Sequence, residues 1–176
     1  MKTLYLERST GNARNGDWVE QLNLEGVERI VVGTGPGSFA GIRSALAFAQ
    51  GYALGRKCEV LGLPSACALA NGDKLAVVGD ARQGKAWIAL FDGYRLEKDV
   101  FQIKQIDLLG SVPSDYKVVT TDEKRIGVLL REIFGDRYLG GETPTGEGLR
   151  SFVEQNPSVL KPEPLPIYLN PAVRDE

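Results

Sequence analysis

Residues 30–43 read IVVGTGPGSFAGIR. A short apolar, β-branched run breaks at Gly33-Thr34-Gly35-Pro36-Gly37, and residues at helical spacing begin straight after it. Strand, glycine turn and helix in that order point to an α/β protein. So dense a glycine cluster has two explanations. Free amides and the positive end of a helix dipole can receive an anion there. Alternatively, glycine lets two pieces of chain approach unusually closely. Gly35, Gly37, Ser38 and Gly41 are the anion-binding candidates, with Ser38 near the N-cap, and this stretch alone leaves both explanations open. Close packing predicts that Gly37→Val harms folding or dimerisation, because a β-branched residue resists positive φ.

Two phosphate-binding motifs can be tested on the loop. A Walker A loop ends in Gly-Lys-Ser/Thr; Ala40-Gly41-Ile42 does not fit. Gly35, Gly37 and Ala40 satisfy the dinucleotide pattern G-x-G-x-x-A. That pattern wants an acid at the C-terminal end of the next strand. Glu59 opens its strand instead, at the opposite edge of the sheet.

Outward from the loop, Phe39–Leu54 carries Ile42, Leu46, Ala49 and Ala53 at helical spacing among many alanines, and Gly55 stops it. Small residues nearly all round predict a helix buried against a sheet or another helix. Upstream, Thr3–Arg8 reads as a strand, Asn15-Gly16 as a hairpin turn and Asp17–Leu22 as the returning strand. Arg29–Val32 is the strand before the loop. Downstream come a strand at Glu59–Leu63 and a short helix from Pro64-Ser65 to Ala70.

Asn71-Gly72-Asp73 breaks the chain. Strands then follow at Lys74–Val78, Lys85–Phe91, Tyr94–Gln105 and Tyr116–Thr121, with helices at Glu123–Phe134 and Gly148–Glu154. The proline-rich end is too apolar at Leu165, Ile167 and Tyr168 to be only a solvated linker. These elements predict a mixed α/β protein in two lobes, residues 1–72 with the glycine loop and 73–176 with the tail.

The chain has 176 residues, a net charge of −2 and 43% hydrophobic residues, ordinary for a globular protein. A slightly acidic chain has no general attraction for nucleic acid or an anionic membrane. It contains no histidine, which excludes histidine triads and histidine metal ligands. Cys58 and Cys67 match no metal or redox spacing and read as reduced thiols of a cytoplasmic protein. No stretch reads as a membrane span, and the N-terminus lacks a signal pattern. Asp80-Ala81-Arg82 follows a buried strand, where an aspartate can cap a turn, bind a metal or act as a base. Glu28, Glu97, Glu123 and Glu132 show no pairing pattern. No complete catalytic constellation emerges.

Several stretches taken in order resemble the TsaB (YeaZ) family. Gly35-Pro36-Gly37-Ser38-Phe39-Ala40-Gly41-Ile42-Arg43 is similar to its glycine loop. Pro64-Ser65-Ala66-Cys67-Ala68-Leu69-Ala70 resembles the next family segment. Asp80-Ala81-Arg82-Gln83-Gly84-Lys85-Ala86-Trp87 resembles its Asp-Ala-Arg hairpin, and Pro166-Ile167-Tyr168-Leu169-Asn170-Pro171-Ala172-Val173 its closing segment.

The resemblance implies an actin-like ATPase, ribonuclease H-like fold of two lobes with mixed sheets. It implies a non-catalytic scaffold in the making of threonylcarbamoyl-adenosine in tRNA. Its implied partners are a TsaD-like catalytic subunit and a TsaE-like ATPase, with tRNA involved only indirectly and a homodimer as an alternative. No cofactor or metal of its own is implied. The helix after the loop would supply the interface, through Phe39, Ile42, Arg43, Leu46, Ala49, Gln50 and Ala53.

Three departures stand out. Glu7-Arg8-Ser9 replaces the family's Asp-Thr-Ser, and Ala40 replaces a threonine. Only Asn23–Glu28 is available where the family has a long helix, so the N-terminal lobe is truncated. A nucleotide- or phosphate-binding protein with Glu7 or Asp80 near a phosphate-bound metal is the alternative reading. A degenerate, self-associating paralogue is another.

Overall fold

The computed structural model describes residues 1–10 and 18–169. In chain order the strands and α-helices are β1 (Lys2–Leu6), β2 (Val27–Gly33), α1 (Phe39–Ala53), β3 (Glu59–Leu63), β4 (Lys74–Arg82), β5 (Lys85–Asp92), β6 (Arg95–Leu96), β7 (Phe101–Lys104), α2 (Leu108–Ser111), β8 (Lys117–Thr120), α3 (Glu123–Phe134), β9 (Tyr138–Gly141), α4 (Gly146–Gln155) and β10 (Lys161–Pro162). The class expected from the sequence, mixed α/β with mixed sheets, is the class observed.

Two compact units divide the chain. Unit 1 takes Met1–Ala68 and Pro144–Ile167; unit 2 takes Leu69–Thr143 and the residues after Ile167. The expected cut after residue 72 therefore falls close to the first boundary. It misses the return of the chain to unit 1, where α4 and β10 complete that unit's structure.

Unit 1 is built on a sheet of order β1-β2-β3-β10. The first three strands run parallel, and β10 is antiparallel to β3. Alternation sends Ile30 and Val32 of β2 to one face, where α1 covers them with Ile42, Ala45, Leu46 and Ala49. Val31, on the other face, is fully buried too. The β-branched run is thus a strand covered on both sides, as parallel strands usually are.

The expected strand at Asp17–Leu22 is not formed: among the described residues Trp18–Gln21 is a turn, and β1 pairs directly with β2. The expected Asn15-Gly16 hairpin lies outside the described residues. Trp18 and Leu22 look amphipathic because they pack on α1, not on a neighbouring strand. The Trp18 ring meets Phe48 edge to face at 5.3 Å, and the Tyr52 hydroxyl donates to the Leu24 carbonyl at 2.9 Å. This turn covers one flank of α1.

Unit 2 carries a sheet of order β6-β5-β4-β8-β9, with β7 also on β5. The β4–β5 hairpin is longer than expected, running to Arg82. Gly79 is needed within it, because the Trp87 ring lies across its Cα. Helix α3 buries Ile126, Leu130 and Phe134 against Val78, Ile88 and Val118. Strand β9 was not anticipated, since Tyr138-Leu139-Gly140-Gly141 offers two glycines and little β-propensity. Among the described residues no helix is long and apolar enough to cross a membrane.

Candidate functional site

The glycine loop joins β2 to α1 and is sewn to β3 by backbone bonds. Thr34 donates its amide to the Leu63 carbonyl at 2.9 Å. Gly35 donates its amide to Ser65 Oγ at 2.9 Å and accepts the Ser65 amide at 2.9 Å. The Gly35-Pro36 peptide is cis, and Gly35 sits at φ 92°. Ser38 is the N-cap of α1, its Oγ accepting the Gly41 amide at 3.2 Å.

The glycines make room for the end of β1. Glu7, Arg8 and Ser9 run across the loop, and each lies on a different glycine. A Cβ on Gly33 would enter the Glu7 carboxylate, one on Gly41 the Arg8 carbonyl, and one on Gly37 the Ser9 carbonyl. The Ser9 carbonyl also accepts the Ser38 amide. Close approach of two pieces of chain is thus the structural reason for the glycines. Gly37 sits at φ 156°, a backbone conformation that side chains rarely adopt, and Ser9 leaves no room for one either, so both strain and close approach bar a side chain there. Of the anion-binding candidates, Gly35, Ser38 and Gly41 each have their amide engaged within the chain.

Glu7 is the most unusual ionisable group of unit 1. Its Oε1 accepts the Ser9 amide at 2.6 Å, while Oε2 is buried without a hydrogen-bond partner among the described residues. Burial pushes its carboxyl above the usual range, and hydrogen bonding from Ser9 and Ser65 only partly opposes that. Burial likewise raises the Cys67 thiol, with Glu7 adding to the effect.

Asp80 belongs to unit 2 and serves as a turn cap. Its Oδ1 accepts the Arg82 amide at 3.1 Å, and Oδ2 lies 3.7 Å from both the Arg82 and Arg125 guanidinium groups. The carboxylate of Asp122 is held above its usual range by burial first and by Asp80 second. Among the described residues no group of three or more acids or cysteines is arranged to hold a metal.

The expected interface residues of α1 separate into two sets. Ile42, Leu46 and Ala49 are corrected: they are buried in the core of unit 1 and offer nothing to a partner. Phe39, Arg43 and Gln50 are exposed and Ala53 is half-buried. Phe39 keeps 53% of its surface, with the Arg43 guanidinium 4.8 Å over its ring. The same face continues through Ala47 and Gly51 to Leu54, which is 78% exposed. Leu54 and Ala47 were not singled out from the sequence, although their helical offset from Arg43 and Gln50 carries the signal.

Residues 19–108, just over half of the chain, match the family described as TsaD: tRNA N6-adenosine threonylcarbamoyltransferase. The chain belongs to that family, which ties it to threonylcarbamoyl-adenosine formation in tRNA. Two solved structures share its fold, both with a TM-score of 0.65 and covering 86% of this chain and 78% of theirs. One is YeaZ from Pseudomonas aeruginosa, at 22% identity. The other, at 21%, is an uncharacterized protein with similarity to peptidase YEAZ from the same organism. These likenesses agree with the TsaB-type resemblance read from the motifs. No curated protein sequence matches the chain.

Proposed function

We propose that the protein is a non-catalytic accessory subunit of the tRNA threonylcarbamoyl-adenosine system. It holds a TsaD-like catalytic subunit against the exposed face of α1, and a TsaE-like ATPase joins that pair in the cytoplasm. tRNA meets the assembly through the catalytic subunit. The observation that carries this reading is the face itself. Phe39, Ala40, Arg43, Ala47, Gln50 and Leu54 are all exposed along one side of a helix that buries Ile42, Ala45, Leu46 and Ala49 on the other. Small residues allow close helix approach, and an aromatic with an arginine at one end is a common interface anchor.

The loop amides engaged by Ser9, Ser38 and Ser65 weigh against the phosphate-binding alternative. Light scattering behind size exclusion, on the protein mixed with TsaD from the same organism, tests the proposal. A stable mixed complex is expected. A protein that ignores TsaD at micromolar concentration overturns the scaffold reading and favours the self-associating paralogue.

A further inference from the structure

Three cations stand in a row across the unit 2 sheet. The registers set Arg82 of β4 opposite Lys85 of β5, and Lys85 opposite Lys104 of β7. Directly opposed residues on neighbouring strands lie about 5 Å apart at Cβ, and like charges so placed repel. The far end of the same hairpin is built otherwise. There Lys74 of β4 faces Asp92 of β5, and Asp92 faces Arg95 of β6. An acid sits between two cations, and Arg95 is bonded to it at 3.3 Å. At the tip of the hairpin a lysine holds that middle place.

Among the described residues neither Lys85 nor Lys104 forms an ion pair. Asp80 is taken up by Arg82 and Arg125, each 3.7 Å from its Oδ2, and Asp122 by Arg125 at 3.6 Å. The charge of both lysines is left over. Lys104 is exposed and Lys85 half-buried. The tip between them is braced. Arg82, Gln83 and Gly84 follow one another at φ 66°, 52° and 70°. The Gln105 amide donates to the Gly84 carbonyl at 2.8 Å, and the Gln105 side chain to the Lys85 carbonyl at 3.4 Å. Two non-glycine residues in the left-handed region carry strain of a kind that gathers at ligand clamps.

We propose that the row Arg82–Lys85–Lys104 is a contact for the phosphodiester backbone of RNA. Successive phosphates set several negative charges side by side, as three cations in line require. Lysines meet phosphates as point charges, and such contacts hold a backbone in place without reading its bases. The choice of RNA over another polyanion rests on the functional reading above, since the family match ties the chain to tRNA. The contact adds to the one that the catalytic subunit makes. With a net charge of −2 the whole chain does not attract RNA, so the attraction is local to this row and sensitive to salt.

The test is fluorescence anisotropy of labelled, unmodified tRNA with the purified chain, over about 50 to 200 mM salt. The chain is used alone, so a failure to bind TsaD leaves this result standing. Binding is expected, and it weakens as salt rises. Lys85→Gln with Lys104→Gln lowers the affinity at least tenfold and reduces the salt slope by about two. Lys85→Glu sets an acid between Arg82 and Lys104, as Asp92 stands between Lys74 and Arg95. It weakens RNA binding at least as much and yet raises Tm, which a lysine kept only for the fold would not do. Lys117→Gln, beside Leu75 at the far end of the sheet, leaves the binding unchanged. A parent chain that leaves tRNA free at micromolar concentration and low salt overturns the proposal. So does RNA binding indifferent to both lysine variants, or a row that binds phosphatidylglycerol vesicles and not tRNA.

Discussion

Gly41 and Gly51 lie in the same helix, and replacing each with alanine should move stability in opposite directions. Gly51 is exposed, lies in the helix interior and has nothing within 4 Å of a built Cβ. Alanine there gains only helix propensity, about 1 kcal/mol. Gly41 gains less from propensity in the first turn, and its new methyl would enter the Arg8 carbonyl, with the Arg8 carbonyl carbon at 3.2 Å. Backbone cannot step aside there. Ser9 is held on both sides, by the Ser38 amide at its carbonyl and by Glu7 Oε1 at its own amide.

Overpacking of this kind costs about 1–3 kcal/mol. The expected net loss for Gly41→Ala is about 1–2 kcal/mol, or roughly 2–8 °C in Tm at this chain length. Urea unfolding followed by Trp18 fluorescence in a Trp87→Phe background reports unit 1, because Trp18 packs on Phe48 of α1. If Gly41→Ala stabilises as much as Gly51→Ala, the close approach of Arg8 to the helix is wrong.

Other expectations concern single groups. Glu7 has a folded pKa above its unfolded value, so the stability it contributes is present below the unfolded pKa and lost as pH rises through the folded one. Glu7→Gln should therefore stabilise unit 1 by about 1–2 kcal/mol at pH 8, the worth of relieving a poorly partnered buried carboxylate. Near pH 4 the difference should vanish; a pH-independent gap between the melting curves refutes the assignment. Phe39→Asp should weaken the complex with a TsaD-like subunit by roughly 30-fold, the scale of an anchor residue. Val128→Asp, at an exposed position of α3 in unit 2, should leave the affinity unchanged; titration calorimetry that finds the two variants alike sinks the α1 interface. Thr145 caps α4 by accepting the Gly148 amide at 3.0 Å, so Thr145→Ala should cost about 1 kcal/mol in chemical unfolding.

The fold was legible where a local pattern and a burial demand agreed. Helix α3 spans Glu123–Phe134 as its apolar period and the following Gly135 require. Helix α1 runs from its Ser38 cap to Ala53, one residue short of the expected end. Reading failed where one pattern served two structures. Trp18 and Leu22 alternate like a strand, yet they cover a helix flank. Three of the residues expected to face a partner are buried for a related reason. The period that marks Ile42, Leu46 and Ala49 as helical marks the face turned toward the protein's own sheet. Exposed partners of a helix must be sought at the complementary offsets, where Ala47 and Leu54 lie. The seat of Glu7–Ser9 on Gly33, Gly37 and Gly41 joins residues far apart in sequence. The glycine spacing invites a close neighbour there without naming it.

The interleaving of the two units has a consequence for biosynthesis. Residues 69–143 of unit 2 leave the ribosome as one continuous stretch, whereas unit 1 waits for Pro144–Ile167. Domains emerging during translation fold as units, and here the N-terminal one is not complete first. The sheet of unit 1 is translated early and lacks α4 and β10 while the whole β4–β9 sheet is made. Through that interval β1 is present on the nascent chain without α4, whose Gly146 lies against the Tyr5 carbonyl in the finished protein.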